Sequence, residues 1–322
     1  MFKHFDDSDI ESASTSSSGS FDEEEANVRV SPSWYAYRHI IESRGYRLDT
    51  YHDVKQFYQL YLADSVSEGR ALKDMAGYTR ACNGGDDNAL CNDAGLPEHL
   101  FRGTRCADGT KVVLKAVHIY GREYEITRYL SSASIRGHSM NHCIPVLDFI
   151  ENPTDHVVFI VMEEWSPLWV DEIPCTKDVL LDTLRKCAEH IVFMHAHQIA
   201  HLDISMRNIL TDGRSHYAWI DYETSRRFDG MTVPRIQHCR ASEVPPEIER
   251  GECSDPFKVD VWALGVLMLK ACELTGNTPP ELLVTINSML HHRFEKRPTA
   301  KEILRFLEAM VARIGDKKRR DT

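Results

Sequence analysis

The stretch His201-Leu-Asp-Ile-Ser-Met-Arg-Asn208 constrains this chain more than any other. Ahead of it, Leu180 to Met194 reads as a buried helix, and behind it Ile209 and Leu210 open a short strand. Asp203 and Asn208 therefore share one polar loop. On a loop at that spacing, a carboxylate that accepts a hydroxyl proton and an amide oxygen that holds a cation can converge on one ligand. Past the strand, Tyr217-Ala-Trp-Ile-Asp221 ends an apolar run on a second carboxylate, placed as a metal-binding Asp needs to be.

Other blocks stand in order before this loop. Leu100–Arg105 and Lys111–Val117 flank Ala107-Asp-Gly-Thr and predict a hairpin with Asp-Gly at its turn. Lys115 falls inside the second strand, where a lysine is ordinarily an edge residue snorkelling to water. Glu123, Ile126 and Leu130 share a helical face, which makes Glu123 the candidate partner of Lys115, with Glu125 the alternative. Asn141–Leu147 and Val157–Trp165 predict two further strands. Nearer the N-terminus, Val54, Phe57, Tyr58, Tyr61 and Leu62 form the stripe of an amphipathic helix with Asp53 as its cap, and Arg80–Gly95 reads as a loop.

His201-x-Asp203 followed by Asn208 and then Asp221 resembles the catalytic loop and metal-binding Asp of the protein kinase family. Val113-Leu-Lys-Ala-Val117 is similar to the strand whose Lys holds the α- and β-phosphates. Pro245-Pro-Glu247 resembles the end of an activation segment, Asp260-Val-Trp-Ala-Leu-Gly265 the helix opening Asp-x-Trp-Ser-Leu-Gly, and Arg297-Pro-Thr the block near the end of the fold. The resemblance covers Leu100 to Met310.

It implies an α+β, two-lobed fold, with a small antiparallel sheet lobe over 96–165 and a larger helical lobe over 166–314. It also implies ATP and Mg²⁺ as cofactors. Asp203 is then the base, Lys115 with Glu123 the phosphate-holding pair, and Asn208 and Asp221 the magnesium ligands. Met162 lies beside the nucleotide, with Glu163, Glu164 and Trp165 along the adenine edge. Asp260 braces the loop backbone and Arg297 pairs with Glu247. The implied activity is transfer of the γ-phosphate to a protein hydroxyl, Ser/Thr by family habit. A pseudokinase scaffold that keeps the fold but binds nucleotide weakly or not at all is the alternative.

The sequence departs from the family at named places. Leu202 stands for Arg, Ser205 for Lys, and Tyr222-Glu223 for Phe-Gly. No Gly-x-Gly-x-x-Gly precedes Lys115, where Gly95 and Gly103 stand alone, so the amides that would cover the phosphates are not where that motif puts them.

Charge and composition exclude several classes. Much of the net charge of -11 sits in an acidic tail over 1–30, which also holds the run Ser14-Thr-Ser-Ser-Ser-Gly-Ser and cannot bury enough apolar surface to order itself. An acidic chain is a poor nucleic-acid binder. The longest apolar run, Val261 to Leu269, falls short of the about 20 residues a bilayer requires, so no membrane partner is expected. His190, His195, His197 and His201 follow no zinc spacing. Nine cysteines without a Cys-x-x-Cys pair, and a start lacking an apolar core, point to a reducing, cytoplasmic setting. Lys317-Lys-Arg-Arg320, in a basic tail over 315–322, leaves a nuclear address open. The expected partner is a protein substrate, with 31–95 a helical extension that folds against the body and offers a docking surface.

Overall fold

The computed structural model describes residues 29–65, 82–92, 96–167 and 176–320. The acidic tail up to residue 28, Gly95 and the last two residues lie outside these, as do the side chains of Tyr61, Leu62 and Lys317–Arg320.

One lobe is built on a five-stranded antiparallel sheet. Its strands are β1 (Tyr46–Leu48), β2 (Leu100–Arg105), β3 (Lys111–His118), β4 (Val146–Asn152) and β5 (Val157–Glu163), in spatial order β1-β2-β3-β5-β4. Three helices accompany it: α1 (Trp34–Ser43), α2 (Tyr51–Ser65) and α3 (Arg122–Leu130). The period-two alternation of strands decides which helix meets which face. Val112, Leu114 and Ala116 of β3 turn toward Trp34 of α1, whose ring lies 5.1 Å from Phe101 and 5.4 Å from Phe159. Val117, Val158 and Ile160 pack with Tyr124 of α3 on the other face. Lys115 shares the parity of Val117, so its side chain leaves the sheet on the α3 side.

Three local readings change, and the stretch read as a loop stays one where it is described. β1 comes from the stretch read as a helical extension, since Tyr-Arg-Leu is too short to display an alternating pattern. The cap of α2 is Thr50 rather than Asp53. Asp53 Oδ2 accepts the Thr50 N–H at 2.8 Å while Thr50 Oγ1 faces the Asp53 N–H at 3.4 Å, a reciprocal capping box. The loop after α2, where described, is pinned: the carbonyls of Ala89 and Asp87 take the N–H groups of Tyr51 and His52 at the start of α2. The strand read at Asn141–Leu147 begins only at Val146, because the run before it crosses to the other lobe, where Ile144 N–H donates to Trp219 O at 3.0 Å.

The larger lobe gathers helices α4 (Lys177–Ala196), α5 (Pro246–Glu249), α6 (Pro256–Thr275), α7 (Pro280–Met289) and α8 (Ala300–Arg320). Leu184, Ile191, Leu264, Met268, Ile286 and Leu307 meet in its core. Asp255 caps α6 by accepting the Phe257 N–H at 2.9 Å, so Asp260 sits in the second turn rather than at the opening. Gly276 ends α6 with φ +66°, the left-handed turn that glycine tolerates best. Short strand pairs, β6 (Ile199–Ala200) with β9 (Arg226–Arg227) and β7 (Ile209–Thr211) with β8 (Tyr217–Trp219), frame the loop that holds Asp203. Among the described residues no helix is long and apolar enough to cross a membrane.

Candidate active site

Lys115 joins the two lobes. Its Nζ donates to Glu123 Oε1 at 2.6 Å and to Asp221 Oδ1 at 2.8 Å. Lys115 and Glu123 are 8% and 7% exposed, so both charges are largely out of water and depend on one another. A tight turn feeds α3 directly after β3, with Gly121 N–H donating to His118 O, and it is this turn that lets eight residues of separation suffice. Glu123 then falls in the first turn of α3, whereas Glu125 faces Arg227 at 3.8 Å.

The three charges divide the protons between them. Burial opposes the Lys115 charge, but the facing carboxylates outweigh it and raise its pKa. Burial also works against ionised Asp221, yet Lys115 holds its carboxyl below the ordinary aspartate value. Burial, with Asp221 nearby, pushes Glu123 up to about 6. At neutral pH the ammonium and both carboxylates are ionised, and Glu123 is the first to take up a proton on acidification.

Across the cleft, the loop is bound by its own backbone. Asp260 accepts the N–H groups of His201 and Leu202, each at 2.8 Å, and His195 Nε2 lies 2.9 Å from the same carboxylate. The hydroxyls of Thr224 and Ser225 donate to His201 O at 3.1 and 2.9 Å. Such anchoring sustains a left-handed backbone at Leu202, φ +63°, where no glycine eases it. Asn208 Nδ2 donates to Asp203 O at 2.8 Å and to Asp203 Oδ2 at 3.1 Å. Ser242 N–H donates to Asp203 Oδ1 at 2.6 Å. Each Asp203 oxygen keeps a lone pair for a further donor, and Asn208 Oδ1 has no hydrogen bond among the described residues.

Asp221 also sits in the left-handed region, φ +66°, and the next residue fixes the turn. The Tyr222 ring is buried, and its hydroxyl donates to Trp219 O at 3.2 Å and lies 3.1 Å from His190 Nε2. Because His190 Nδ1 accepts the His142 N–H, Nε2 carries the proton and donates to Tyr222. In the sequence Tyr222 stands out only as a substitution. Its role in the turn depends on a histidine 32 residues away.

At the far end of β5, Met162 lies within the sheet, paired with Val113 and Val146. The N–H groups of Glu163 and Glu164 are already donated to Pro145 O and Lys111 O, each at 3.0 Å. Glu163 accepts from Trp165 Nε1 at 3.2 Å, and Glu164 pairs with Arg102. Of these residues Trp165 alone has a main-chain N–H without a hydrogen bond among the described residues.

No glycine motif covers this cleft ahead of Lys115. Gly103 serves strand packing instead, because a Cβ there would stand 2.7 Å from Arg47 O. The β2–β3 turn is a short Asp-Gly turn with Gly109 at φ +76°, and the β1–β2 connection carries α2.

A carboxylate and an amide oxygen are hard ligands of the kind magnesium takes, and a buried ammonium is a cation of the kind phosphate takes. Asp221 and Asn208 Oδ1 are the oxygens that could hold the ion, and Lys115 the cation that could hold phosphate. A third carboxylate stands close: Glu123, Asp221 and Glu223 each offer an oxygen within 4.8 Å of the others.

A small antiparallel sheet lobe with a helix-borne Glu, a larger helical lobe, and this loop between them define a protein kinase. The sequence profile of the protein kinase domain matches residues 99–282, more than half of the chain, and the chain belongs to that family. It is 32% identical over 200 residues to the serine/threonine-protein kinase SBK1 of Mus musculus, covering 56% of this chain and 44% of that protein. Calcium-dependent protein kinase 6 of Plasmodium berghei (strain Anka) is 26% identical over 215 residues, 58% of this chain and 14% of that protein. Serine/threonine-protein kinase PrkC of Bacillus subtilis (strain 168) is 24% identical over 189 residues, 56% and 29%. The chain thus spans less than half the length of these relatives.

Proposed function

We propose that the chain is an ATP- and magnesium-dependent protein kinase that transfers the γ-phosphate to a serine or threonine hydroxyl. The observation that carries this reading is the Lys115 ammonium held between carboxylates from both lobes, at 2.6 and 2.8 Å. Glu123 keeps Lys115 extended toward the α- and β-phosphates. Asp221 and Asn208 take the magnesium, which when bound neutralises phosphate charge. Asp203, fixed by Asn208 and Ser242, orients the acceptor hydroxyl and receives its proton as the phosphoryl group moves across. Because such transfer is mostly positioning and charge neutralisation, this set suffices without a glycine-rich cover. The serine/threonine preference follows the names of the relatives in mouse and Bacillus.

A second reading, a scaffold that keeps the fold without turnover, is favoured by the helix-bearing connection that stands ahead of Lys115 in place of a glycine-rich turn. Thermal melting with ATP and magnesium separates the two. The kinase reading expects a rise in Tm that Asp221→Asn removes; an unchanged Tm in the unmutated chain supports the scaffold.

A further inference from the structure

Glu223 stands where the family carries glycine, and it adds a third carboxylate beside two that Lys115 already serves. Its partner comes from far away in sequence. Arg29 Nε lies 3.0 Å from Glu223 Oε2, across 194 residues. The segment carrying Arg29 is anchored next to it: Val30 packs on the sheet cluster with Trp34, and Trp34 Nε1 donates to Glu98 O at 2.8 Å. Arg29, Val30 and His99 line a cavity of about 30 Å³ together with Lys115, Glu123 and Glu223. The Arg29 pKa is raised first by its bond to Glu223, with Asp221 and Glu123 contributing across the same space.

We infer that Arg29 is a positioning residue for nucleotide binding, drawing the Glu223 carboxylate off Lys115 and off the side of the cleft that faces phosphate. Three carboxylates against Lys115 alone leave a net charge of -2, and Arg29 brings that to -1. Without Arg29, Glu223 either competes for Lys115 or presents an uncompensated anion to the phosphates. Both outcomes weaken binding of a polyanionic nucleotide. Arg29 itself touches no reacting atom, and most of its effect passes through Glu223, the carboxylate it bonds. The inference rests on the kinase reading of the cleft.

Calorimetric titration of MgATP into the full chain tests it, using the unmutated protein, Arg29→Ala, Glu223→Gly and the double variant. Arg29→Ala is expected to lose about threefold in affinity, because the Arg29 side chain is 61% exposed and water screens its charge. Glu223→Gly binds at least as tightly as the unmutated chain, and Arg29→Ala costs clearly less in that background than in the unmutated one. The charge swap Arg29→Glu with Glu223→Arg recovers affinity lost by Arg29→Glu alone, which a merely structural role would not produce. Equal losses in both backgrounds, or no loss from Arg29→Ala, overturn the inference while leaving the kinase reading intact. An unmutated chain that binds no MgATP overturns the kinase reading itself, and the inference with it.

Discussion

Glu247 and Arg297 meet inside the large lobe in a two-point ion pair, each carboxylate oxygen 2.7 Å from a guanidinium nitrogen and each residue 2% exposed. The rest of the guanidinium is satisfied by His291 O and Lys258 O, and Ser254 Oγ donates to Glu247. The pair ties the end of the activation segment to the block before α8. Removing one partner strands a buried charge, so Arg297→Met is expected to cost about 3–5 kcal/mol in urea unfolding. Glu247→Gln also strands a charge, that of the Arg297 guanidinium, but keeps an amide oxygen to accept one of its N–H groups and should cost less.

The same pair sets an acid limit. Burial opposes the Glu247 charge, but the bond to Arg297 outweighs it and holds the carboxyl below 4.5. The stability it contributes is therefore present above the ordinary glutamate pKa and is lost as pH falls through the lowered one. Unfolding free energy measured from pH 5 downward should fall less steeply in Glu247→Gln than in the unmutated chain.

Glu123 behaves in the opposite sense. Its folded pKa of about 6 lies above the ordinary 4.5, so the folded chain holds that proton more tightly than the unfolded one. The resulting contribution is fully present below 4.5, declines as pH rises through about 6, and is absent above. Its size is on the order of 2 kcal/mol. The stability of the unmutated chain relative to Glu123→Gln should show this decline across pH 4.5 to 7, the buried His190 and His201 contributing equally to both.

Tyr222→Phe should cost about 1–3 kcal/mol in the same unfolding measurement, because it takes the acceptor from His190 Nε2–H and the donor from Trp219 O at a buried site. The variant places the family's own residue at the position. A stabilised protein would show that the hydroxyl does not hold the turn at Asp221.

Much of the cleft is legible in the sequence because its parts carry local signatures. Asp203 and Asn208 share one loop, and Lys115 and Glu123 are separated by one turn and one helical step. Asp260 and Arg297 each lie in a recognisable block. What escaped depends on contacts between distant segments. Arg29 is a single arginine at the end of a stretch read as an unordered acidic tail until the fold sets it on Glu223. β1 offers three residues and no period, and its place at the sheet edge is decided by pairing with β2. Asn141–Pro145 can pass for a strand, yet His142 O and the Ile144 N–H bond to Trp219 in the other lobe. Thr50 is masked as a cap because Asp53 is also a capping residue type and lies three positions later, the other half of the same box.

The most direct test of the account is transfer of labelled γ-phosphate from MgATP to a mixed protein substrate, compared between the unmutated chain and Asp203→Asn at saturating nucleotide. The account predicts measurable transfer that falls about 10²–10⁴-fold in Asp203→Asn, while MgATP affinity is unchanged. Equal rates in the two proteins, or no transfer by an unmutated chain that binds MgATP, would contradict it.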